Sequence, residues 1–329
     1  MAVHLCIENI KAVPAQQVIV SGAKHHNRRN QPQPEKRRMK SPNKSMKVAV
    51  VTAANMPKPD VELGTLCGAL KRSGCEPAVV AWDAADVAWQ AFDLVLIKSP
   101  WDYFGRQAAF MQWVTAVSAQ TTLRNAKDII LWNVDKRYLL DLESAGVPVI
   151  PTVYVPAGED RHDQRLAPFG HDEVVIKPAV SIGAIGALRA RASSKKAHDH
   201  LRTLAARGNV LVQPFIESVL DEGEVSLLYF GGAYSHAVRK RARQGDYRVQ
   251  DHHGGSVEAH TVTEMEMETG RLALQRAPGV PLLARVDLVS IGGRPHVIEL
   301  ELIEPALFLD TNPDACARLA EAVVAELLR

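Results

Sequence analysis

The sequence predicts an α/β fold followed by an α+β region, and three observations support this. Short β-branched runs alternate with helical stretches over 46–125, which is typical of a parallel sheet with helical crossovers. After Asn133 the alternation stops, and strands follow one another with few helices between them. The chain has 329 residues, 47% of them hydrophobic, which is enough for two or three packed domains. We expect a parallel-sheet domain over 46–128 and two α+β subdomains over 129–210 and 211–329.

Residues 1–45 differ in composition from the rest of the chain. They contain nine Lys and Arg against two Glu, and 25–44 is polar, basic and interrupted by prolines. Such a segment has too few apolar groups to offset the entropy lost on ordering, so we expect a disordered basic tail. A solvated tail, or an upstream start codon ahead of Met46, is favoured over nucleic-acid binding or nuclear targeting. The segment contains few acidic residues, which is also typical of organellar transit peptides, so the sequence does not exclude such a peptide.

The charge, hydropathy and cysteine pattern exclude several classes of protein. Beyond residue 45 the chain carries 30 basic and 35 acidic residues, which argues against nucleic acid as a partner. No stretch approaches about 18 uninterrupted apolar residues, so we expect no membrane span and a cytoplasmic location. The four cysteines lack disulfide-framework or metal-ligand spacing. The sequence does not determine the oligomeric state, and a homodimer is compatible with it.

In the N-terminal domain the elements follow in β-α order. They are KVAVVT after Met46, a helix over 60–73, PAVVAW at 77–82, LVLIK at 94–98 and a helix over 107–118. The turn after the first strand, AANMPKPD, contains no glycine, so a backbone cannot approach a pyrophosphate there. We therefore expect a Rossmann-like sheet that does not bind a dinucleotide.

The second half predicts mostly strands. They are VVIKP at 174–178, VLVQPFI at 210–216, GEVSLLYF at 223–230, and runs over 233–240, 283–290 and 296–302. A helix is predicted over 135–145. The last helix, ARLAEAVVAELL, has apolar residues at helical spacing and follows cap and first-turn residues Thr311, Asn312 and Pro313.

Two segments contain groups suited to a nucleotide. Lys177 ends an apolar strand, and Gly183 and Gly186 in the following loop permit the backbone to fold over phosphate oxygens. VLVQPFI can present backbone N–H and C=O groups to a purine, and the acidic run after it can accept a ribose hydroxyl. Taken singly, the first segment is more simply explained as a solvated lysine at the end of a strand, and the second as an edge strand with a charged turn. No G-x-x-x-x-G-K-[ST] motif occurs, which excludes a P-loop.

The strongest local signal is acidic. Glu299 and Glu301 are two residues apart in VIELELIEP, so in a strand they share a face with Ile303. Carboxylates so placed repel each other and are costly to bury unless a cation lies between them. Asp287, on the preceding strand, can supply a third oxygen ligand of the kind that Mg²⁺ prefers. A solvated acidic face is the alternative, and the apolar flanking residues disfavour it.

Between these segments lies a basic stretch. Its cluster consists of Arg239, Lys240, Arg241, Arg243 and Arg248. Such donors suit a transferring phosphoryl group or a substrate carboxylate. An RNA-binding hairpin is the competing interpretation, but Tyr247 is the stretch's single aromatic residue.

In this order the motifs resemble the ATP-grasp superfamily over about 130–310. They are N-x-D-K at Asn133, Asp135 and Lys136, VVIKP with its small-residue loop, QPFI, G-E-x-S, R-x-x-x-G-D-Y-R, R-V-D and E-x-E-x-x-E-P. Within it the chain is similar to the glutathione synthetase branch and, more closely, to the O-ureido-serine cyclo-ligases of cycloserine biosynthesis and their relatives. SPWDYFGR (99–106), WNVDKRYLLDLESAGVPVIPT (132–152) and ELIEPALFL (301–309) carry this second likeness. Such relatives more typically have arginine at the position of Lys98 and threonine at that of Pro100, in a segment expected near the substrate.

The resemblance implies an ATP-grasp fold in which the two α+β subdomains sandwich ATP, behind an N-terminal pre-ATP-grasp domain. It implies that Lys136 and Lys177 hold the α- and β-phosphates under a flap containing Ser181, Gly183 and Gly186. It further implies roles for three other groups of residues: Gln213, Phe215 and Ile216 at adenine; Glu224 at the ribose, with Glu217 as the alternative; and Arg239 and Arg248 at the γ-phosphate and acyl phosphate. Asp287, Glu299 and Glu301 would bind Mg²⁺, or Mn²⁺ in its place.

Three functions are compatible with this sequence. The first is an ATP-dependent carboxylate–amine ligase that activates a small amino-acid-like molecule as an acyl phosphate and forms a C–N bond, with ring closure as one form. The second is an amino-acid ligase acting on a peptide or protein terminus. The third is a nucleotide-binding regulator without catalysis, which has no need for three clustered carboxylates. The sequence favours the first.

Overall fold

The computed structural model describes residues 45–55, 60–249 and 254–329. The expected basic tail over 1–45 therefore lies outside the described residues, apart from Ser45. Residues from Ser45 onward belong to one unit. Within the described ranges, no helix has both the length and the apolar character needed to cross a bilayer.

The first sheet is parallel, as predicted. Its strands are β1 (Met46–Thr52), β2 (Cys75–Ala81), β3 (Leu94–Ser99) and β4 (Leu123–Arg124), in the order β2-β1-β3-β4. Helices α1 (Glu62–Arg72) and α2 (Gln107–Ser118) make the crossovers and bury their apolar faces against the sheet. The β-branched and leucine-rich strands β1 and β3 are buried on both faces, because helices cover both sides of the sheet.

Two short helices lead into a second, antiparallel sheet. The elements are α3 (Lys127–Asn133), α4 (Tyr138–Ser144), β5 (Val153–Val155), α5 (His162–Leu166), β6 (Glu173–Pro178), β7 (Leu188–Arg191), α6 (Lys195–Ala205) and β8 (Val210–Pro214). The strand order is β5-β8-β6-β7. The expected boundary after residue 210 falls inside β8, because β8 pairs with β6 over its whole length. The boundary after residue 128 likewise falls within α3.

The third sheet is also antiparallel and has five strands. Its elements are α7 (Ser218–Asp221), β9 (Glu224–Phe230), β10 (Ala233–Arg241), β11 (Ser256–Ala259), α8 (Glu264–Leu274), β12 (Leu283–Ile291), β13 (Arg294–Glu301) and α9 (Ala315–Leu327). The strand order is β11-β10-β9-β12-β13. One face of this sheet packs on a core shared with α3, α4 and α8. The other face carries the charged residues described below.

The sequence analysis did not identify two of the longer helices. Helix α6, KKAHDHLRTLA, is mostly polar, and its signal is the Ser194 hydroxyl that accepts a hydrogen bond from the N–H of Ala197. Helix α8 begins with a capping box, in which Thr263 and Glu266 each accept a hydrogen bond from the other's backbone N–H. That T-x-x-E spacing was readable in the sequence. The helix predicted over 135–145 begins instead at Tyr138.

Two buried asparagines fix the end of the parallel sheet to the five-stranded sheet. The amide nitrogen of Asn125 donates to the carbonyl oxygens of Leu283 and Leu302, at 2.7 and 2.6 Å. The amide of Asn133 donates to the carbonyl of Leu300 and accepts from the N–H of Leu302, both at 2.8 Å. These hydrogen bonds fix the positions of β12 and β13 relative to the chain segments that precede Lys136.

Candidate active site

The polar residues of the third sheet collect on one face. In the strand register Glu224 lies opposite Lys240, and Asp287 lies opposite both Ser226 and Glu299. Residues directly opposite each other on neighbouring strands point to the same side of a sheet. The set that shares this face is Glu224, Ser226, Lys240, Arg285, Asp287, Glu299 and Glu301.

Three carboxylates converge on this face. One oxygen from each of Asp287, Glu299 and Glu301 lies within 4.8 Å of the others. The guanidinium of Arg285 donates to both oxygens of Asp287, at 2.9 Å, and to Glu301. Lys240 forms an ion pair with Glu224, and its Nζ lies 3.3 Å from Asp287. The protein thus supplies two buried cations to four clustered carboxylates.

The charge balance of this cluster is unequal. Burial opposes ionisation of Asp287, but Arg285 and Lys240 outweigh it and lower the pKa of that carboxyl. Burial, with the charges of Glu299 and Asp287, raises the pKa of Glu301 to about 8. Burial likewise raises the pKa of Glu304, in the loop after β13, to about 7. Burial and repulsion among the carboxylates therefore disfavour the ionised form of Glu301, and a bound cation would favour it.

The donor set fits Mg²⁺. Asp287, Glu299 and Glu301 offer hard oxygen ligands and converge within reach of one coordination sphere, and the raised pKa of Glu301 shows that Arg285 does not fully offset their repulsion. Phosphate oxygens and water would complete such a coordination shell.

Two lysines approach the same carboxylates. Lys177 lies in β6 of the second sheet, and Lys136 lies between α3 and α4, before that sheet begins. Lys136 is buried; its ammonium donates to the carbonyl oxygen of Ser181 at 2.7 Å and lies 3.3 Å from Glu299. Burial lowers the pKa of Lys177, while the nearby carboxylate of Glu299 opposes that shift. Asp135, which precedes Lys136, accepts hydrogen bonds from Tyr154 and Asn209 and so fixes the backbone there.

The small-residue loop after β6 needs its glycines. Gly183 and Gly186 have φ of 55° and 77°, in the left-handed region that glycine adopts without strain. A Cβ on Gly186 would also lie 3.0 Å from the Pro178 ring. Between this loop and β13 is a cleft lined chiefly by Tyr103, Asn133, Lys136, Ser181, Ile182, Glu299, Glu301 and Glu304.

The residues predicted at adenine lie at the end of β8 and just after it, and the two ribose candidates lie before α7 (Glu217) and at the start of β9 (Glu224). The Gln213 side chain is buried and donates to the hydroxyl of Thr152 at 3.0 Å. The Phe215 ring lies 3.6 Å from the guanidinium carbon of Arg189, and Ile216 packs against a small apolar cluster. Of the two ribose candidates, Glu217 is exposed and Glu224 is buried beside Lys240. These nucleotide roles stay predictions.

The two predicted catalytic arginines do not join the acidic cluster. Arg239 and Lys240 are adjacent in β10, so their side chains point to opposite faces, and it is Lys240 that reaches Asp287. Arg239 instead donates to the carbonyl oxygen of Glu222. Arg248 pairs with Asp246 in its own loop, at 2.7 Å. The roles of Arg239 and Arg248 at the γ-phosphate and acyl phosphate stay predictions.

Two family models match the chain. The N-terminal domain of D-cycloserine synthetase DcsG matches residues 48–125, and the ATP-grasp domain of prokaryotic glutathione synthetase matches residues 149–284. The cycloserine biosynthesis protein DcsG of Streptomyces lavendulae is 34% identical over 298 residues, which cover 85% of this chain and 98% of that protein. The chain belongs to the DcsG family.

Solved structures agree with membership of the DcsG family. The crystal structure of D-cycloserine synthetase DcsG superposes with a TM-score of 0.79 at 33% identity, covering 85% of this chain and 99% of that one. A D-alanine–D-alanine ligase from Bacillus anthracis shares the fold, with a TM-score of 0.65 at 15% identity, covering 87% of this chain and 98% of that one.

A probable alpha-L-glutamate ligase of Thioalkalivibrio sulfidiphilus is 29% identical in sequence, covering 61% of this chain and 65% of that protein. This DcsG-family chain therefore has the ATP-grasp fold and is an ATP-dependent carboxylate–amine ligase.

No role was predicted from the sequence for Tyr103 and Glu304, which line this DcsG-family cleft, or for Arg285, which donates to Asp287 and Glu301. Lys240 was predicted only as a member of the basic cluster. The R-x-D spacing of Arg285 and Asp287 places both on one strand face and was a readable signal. Tyr103 had no such signal, because it comes from the N-terminal domain and reaches the cleft through the tertiary fold.

The departure at Lys98 from the DcsG-like pattern lies in the interior. Lys98 is fully buried, with Nζ at 2.9 Å from Asp60 and 2.8 Å from Glu62. Its ammonium also lies 5.7 Å from the centre of the Trp101 ring. The lysine therefore does not line the cleft, whereas Tyr103, five residues later, does.

Proposed function

We propose that this chain activates the carboxylate of a small amino-acid-like molecule with ATP and joins it to a nitrogen nucleophile. The γ-phosphoryl group passes to a substrate carboxylate oxygen, giving an acyl phosphate and ADP. The nitrogen then attacks the carbonyl carbon, a C–N bond forms, phosphate leaves with the C–O electron pair, and the nitrogen loses a proton. The similarity to DcsG favours a nucleophile within the same molecule, so that the product is a ring.

The convergence of charged groups on one cleft carries this proposal. Lys136 and Lys177 approach Glu299 from one side, and Arg285 and Lys240 lie beside Asp287 on the other. Phosphoryl transfer needs positioning and charge neutralisation more than a protein nucleophile. The lysines would orient the α- and β-phosphates, and Lys240, in place of Arg239, would face the γ-phosphate. Arg248 would reach the acyl phosphate only if its loop moved.

Other predicted residues keep their proposed roles. The loop over 181–186 would cover the phosphates, since its glycines allow close backbone approach. Gln213, Phe215 and Ile216 would line the adenine slot through backbone groups, with Glu217 or Glu224 at the ribose. Asp287, Glu299 and Glu301 would hold Mg²⁺, which supplies neutralisation of the phosphate charge when bound. The proposal includes three parts, a parallel-sheet domain and two α+β subdomains, with the boundaries predicted after residues 128 and 210 shifted to the ends of α3 and β8.

The test measures ATP-dependent phosphate release with a panel of amino acids and their ureido and aminooxy derivatives. Wild-type enzyme should release phosphate with a subset of the panel, in the presence of Mg²⁺. Glu299→Gln should reduce release at least about 100-fold, because a cation ligand and the partner of Lys136 are lost together. Glu159→Gln, a buried carboxyl paired with Arg161 in a remote loop, is the matched control and should retain activity.

Two results would overturn the proposal. One is full activity of a folded Glu299→Gln variant, with folding checked by circular dichroism. The other is phosphate release that depends on peptides and not on free amino acids. That second outcome would favour a ligase acting on a peptide or protein terminus.

A further inference from the structure

The cleft contains a carboxylate that the proposed function leaves without a role. Glu304 lines the same cleft as Glu299 and Glu301, three residues beyond the end of β13. Glu299 and Glu301 pair with Lys136 and Arg285. Within the described ranges Glu304 forms no ion pair, and its hydrogen-bonding partner is the hydroxyl of Tyr103. A part-buried carboxylate without an ion pair is costly to keep ionised, so a cation bound beside it would stabilise its charged form.

The loop that carries Glu304 is held firmly from several sides. The indole nitrogen of Trp101 donates to the carbonyl oxygen of Glu304 at 3.0 Å. The carboxylate of Glu62 accepts hydrogen bonds from the N–H groups of Leu307 and Leu309, at 3.0 and 2.9 Å. These anchors come from the N-terminal domain, so the orientation of Glu304 is fixed by elements distant in sequence. A binding group needs this kind of support to be selective.

The position of Tyr103 is also fixed by several contacts. It is buried, and its ring centre lies 4.6 Å from that of Phe110. The loop before it is tied by a 2.7 Å hydrogen bond from the Trp82 indole to Asp102, and Arg106 lies 4.5 Å from the Trp82 ring. The tyrosine hydroxyl is thus held where it hydrogen-bonds to Glu304, and both residues line the cleft.

We propose that Tyr103 and Glu304 together bind the ammonium group of the amino-acid substrate. The inference rests on the proposed function. An amino acid has a carboxylate and an ammonium only a few bonds apart. With its carboxylate near the lysines and the metal ligands, its ammonium needs an acceptor in the same cleft. Glu304 and the Tyr103 hydroxyl oxygen offer two acceptors to the three N–H donors of that group.

The pair also explains how amino acids would be selected over other carboxylic acids. A substrate without the ammonium would leave Glu304 buried and unpaired, and that cost appears as weaker binding. Burial raises the pKa of Glu304 to about 7 in the ligand-free protein, and a bound cation would favour its ionised form.

The experiment compares two substrates in the wild type and in two variants. The probes are O-ureidoserine and its desamino analogue, in which hydrogen replaces the amino group, or the most active amino acid of the panel with its own desamino analogue. Phosphate release gives kcat and KM for each. In Glu304→Gln, kcat/KM for the amino acid should fall about 10- to 100-fold, mainly through KM. For the desamino analogue it should change less than about threefold.

Tyr103→Phe should show the same selective loss at smaller size, about three- to tenfold. Affinity for Mg²⁺ and ATP, measured by calorimetry, should stay at the wild-type value in both variants. Equal losses for the two probes would show that the pair only supports the fold, and would overturn the inference while leaving the proposed function intact. A wild-type enzyme that releases no phosphate with any amino acid would overturn the proposed function and this inference with it.

Discussion

Replacing Lys98 by methionine should destabilise the protein strongly, because this lysine neutralises a buried acidic pair. Its side chain is 0% exposed, and those of Asp60 and Glu62 are 2% and 13% exposed. Methionine preserves most of the side-chain volume but removes the ammonium, so both carboxylates lose their cation. Glu62 keeps two backbone N–H donors, from Leu307 and Leu309, whereas the more deeply buried Asp60 keeps one, from Glu62 itself, so Asp60 bears most of the penalty.

The size of the effect follows from the burial. Breaking a buried ion pair by removal of one partner typically costs about 3–5 kcal/mol, well above the loss of a surface pair. Urea denaturation of wild type and Lys98→Met, followed by circular dichroism, measures the difference in the free energy of unfolding. The double variant Lys98→Met with Asp60→Asn should recover at least about 1 kcal/mol, since it removes the stranded charge as well.

Lys98→Arg serves as the matched control. It retains the positive charge beside Asp60 and Glu62, so most of the stability should return. A loss below about 1 kcal/mol in Lys98→Met would refute the reasoning, because that is the range of an exposed ion pair. So would a double variant less stable than Lys98→Met alone.

Three other changes test separate features. The pKa of Glu304 is raised from an ordinary 4.5 to about 7 in the folded protein, so the folded state holds this proton more tightly than the unfolded state does. The ligand-free protein should therefore lose up to about 3 kcal/mol of stability as pH rises through that interval. Glu304→Gln should reduce this pH dependence, as measured by chemical denaturation. Asn125→Ala leaves backbone groups of β12 and the loop after β13 unpaired, and should cost at least about 2 kcal/mol; unchanged thermal unfolding would contradict this. Thr263→Ala removes half of the capping box of α8 and should cost about 1 kcal/mol, with Thr263→Ser near wild type in the same thermal measurement.

The parallel sheet could be predicted because its signal is local. The apolar runs of β1 and β3 are continuous, and the helices between them have the expected lengths. The capped helix α8 carried a comparable signal in Thr263 and Glu266. In contrast, the end of β8 and the domain boundary near it depend on pairing with β6, a contact between residues far apart in sequence. Sequence patterns do not report such pairing.

The acidic part of the site was predictable for a similar reason. The two-residue spacing of Glu299 and Glu301 fixes a shared strand face, and Asp287 lies on the strand that pairs with them. In β10, side chains also alternate between the two faces of the sheet, so only one of Arg239 and Lys240 can point toward Asp287. The sequence does not show which one, whereas the pairing of β10 with β9 shows that it is Lys240. Tyr103 could not be predicted, since its place in the cleft depends on how the N-terminal sheet packs.

The buried guanidinium of Arg285 means that the enzyme holds its acidic strands with a permanent counter-ion of its own. Its ion pairs with Asp287 and Glu301 offset part of the repulsion between β12 and β13 in the ligand-free protein. If these carboxylates hold Mg²⁺ as proposed, the two strands are already cross-linked by the protein's own cation, in contrast to small zinc domains whose structure depends on the metal.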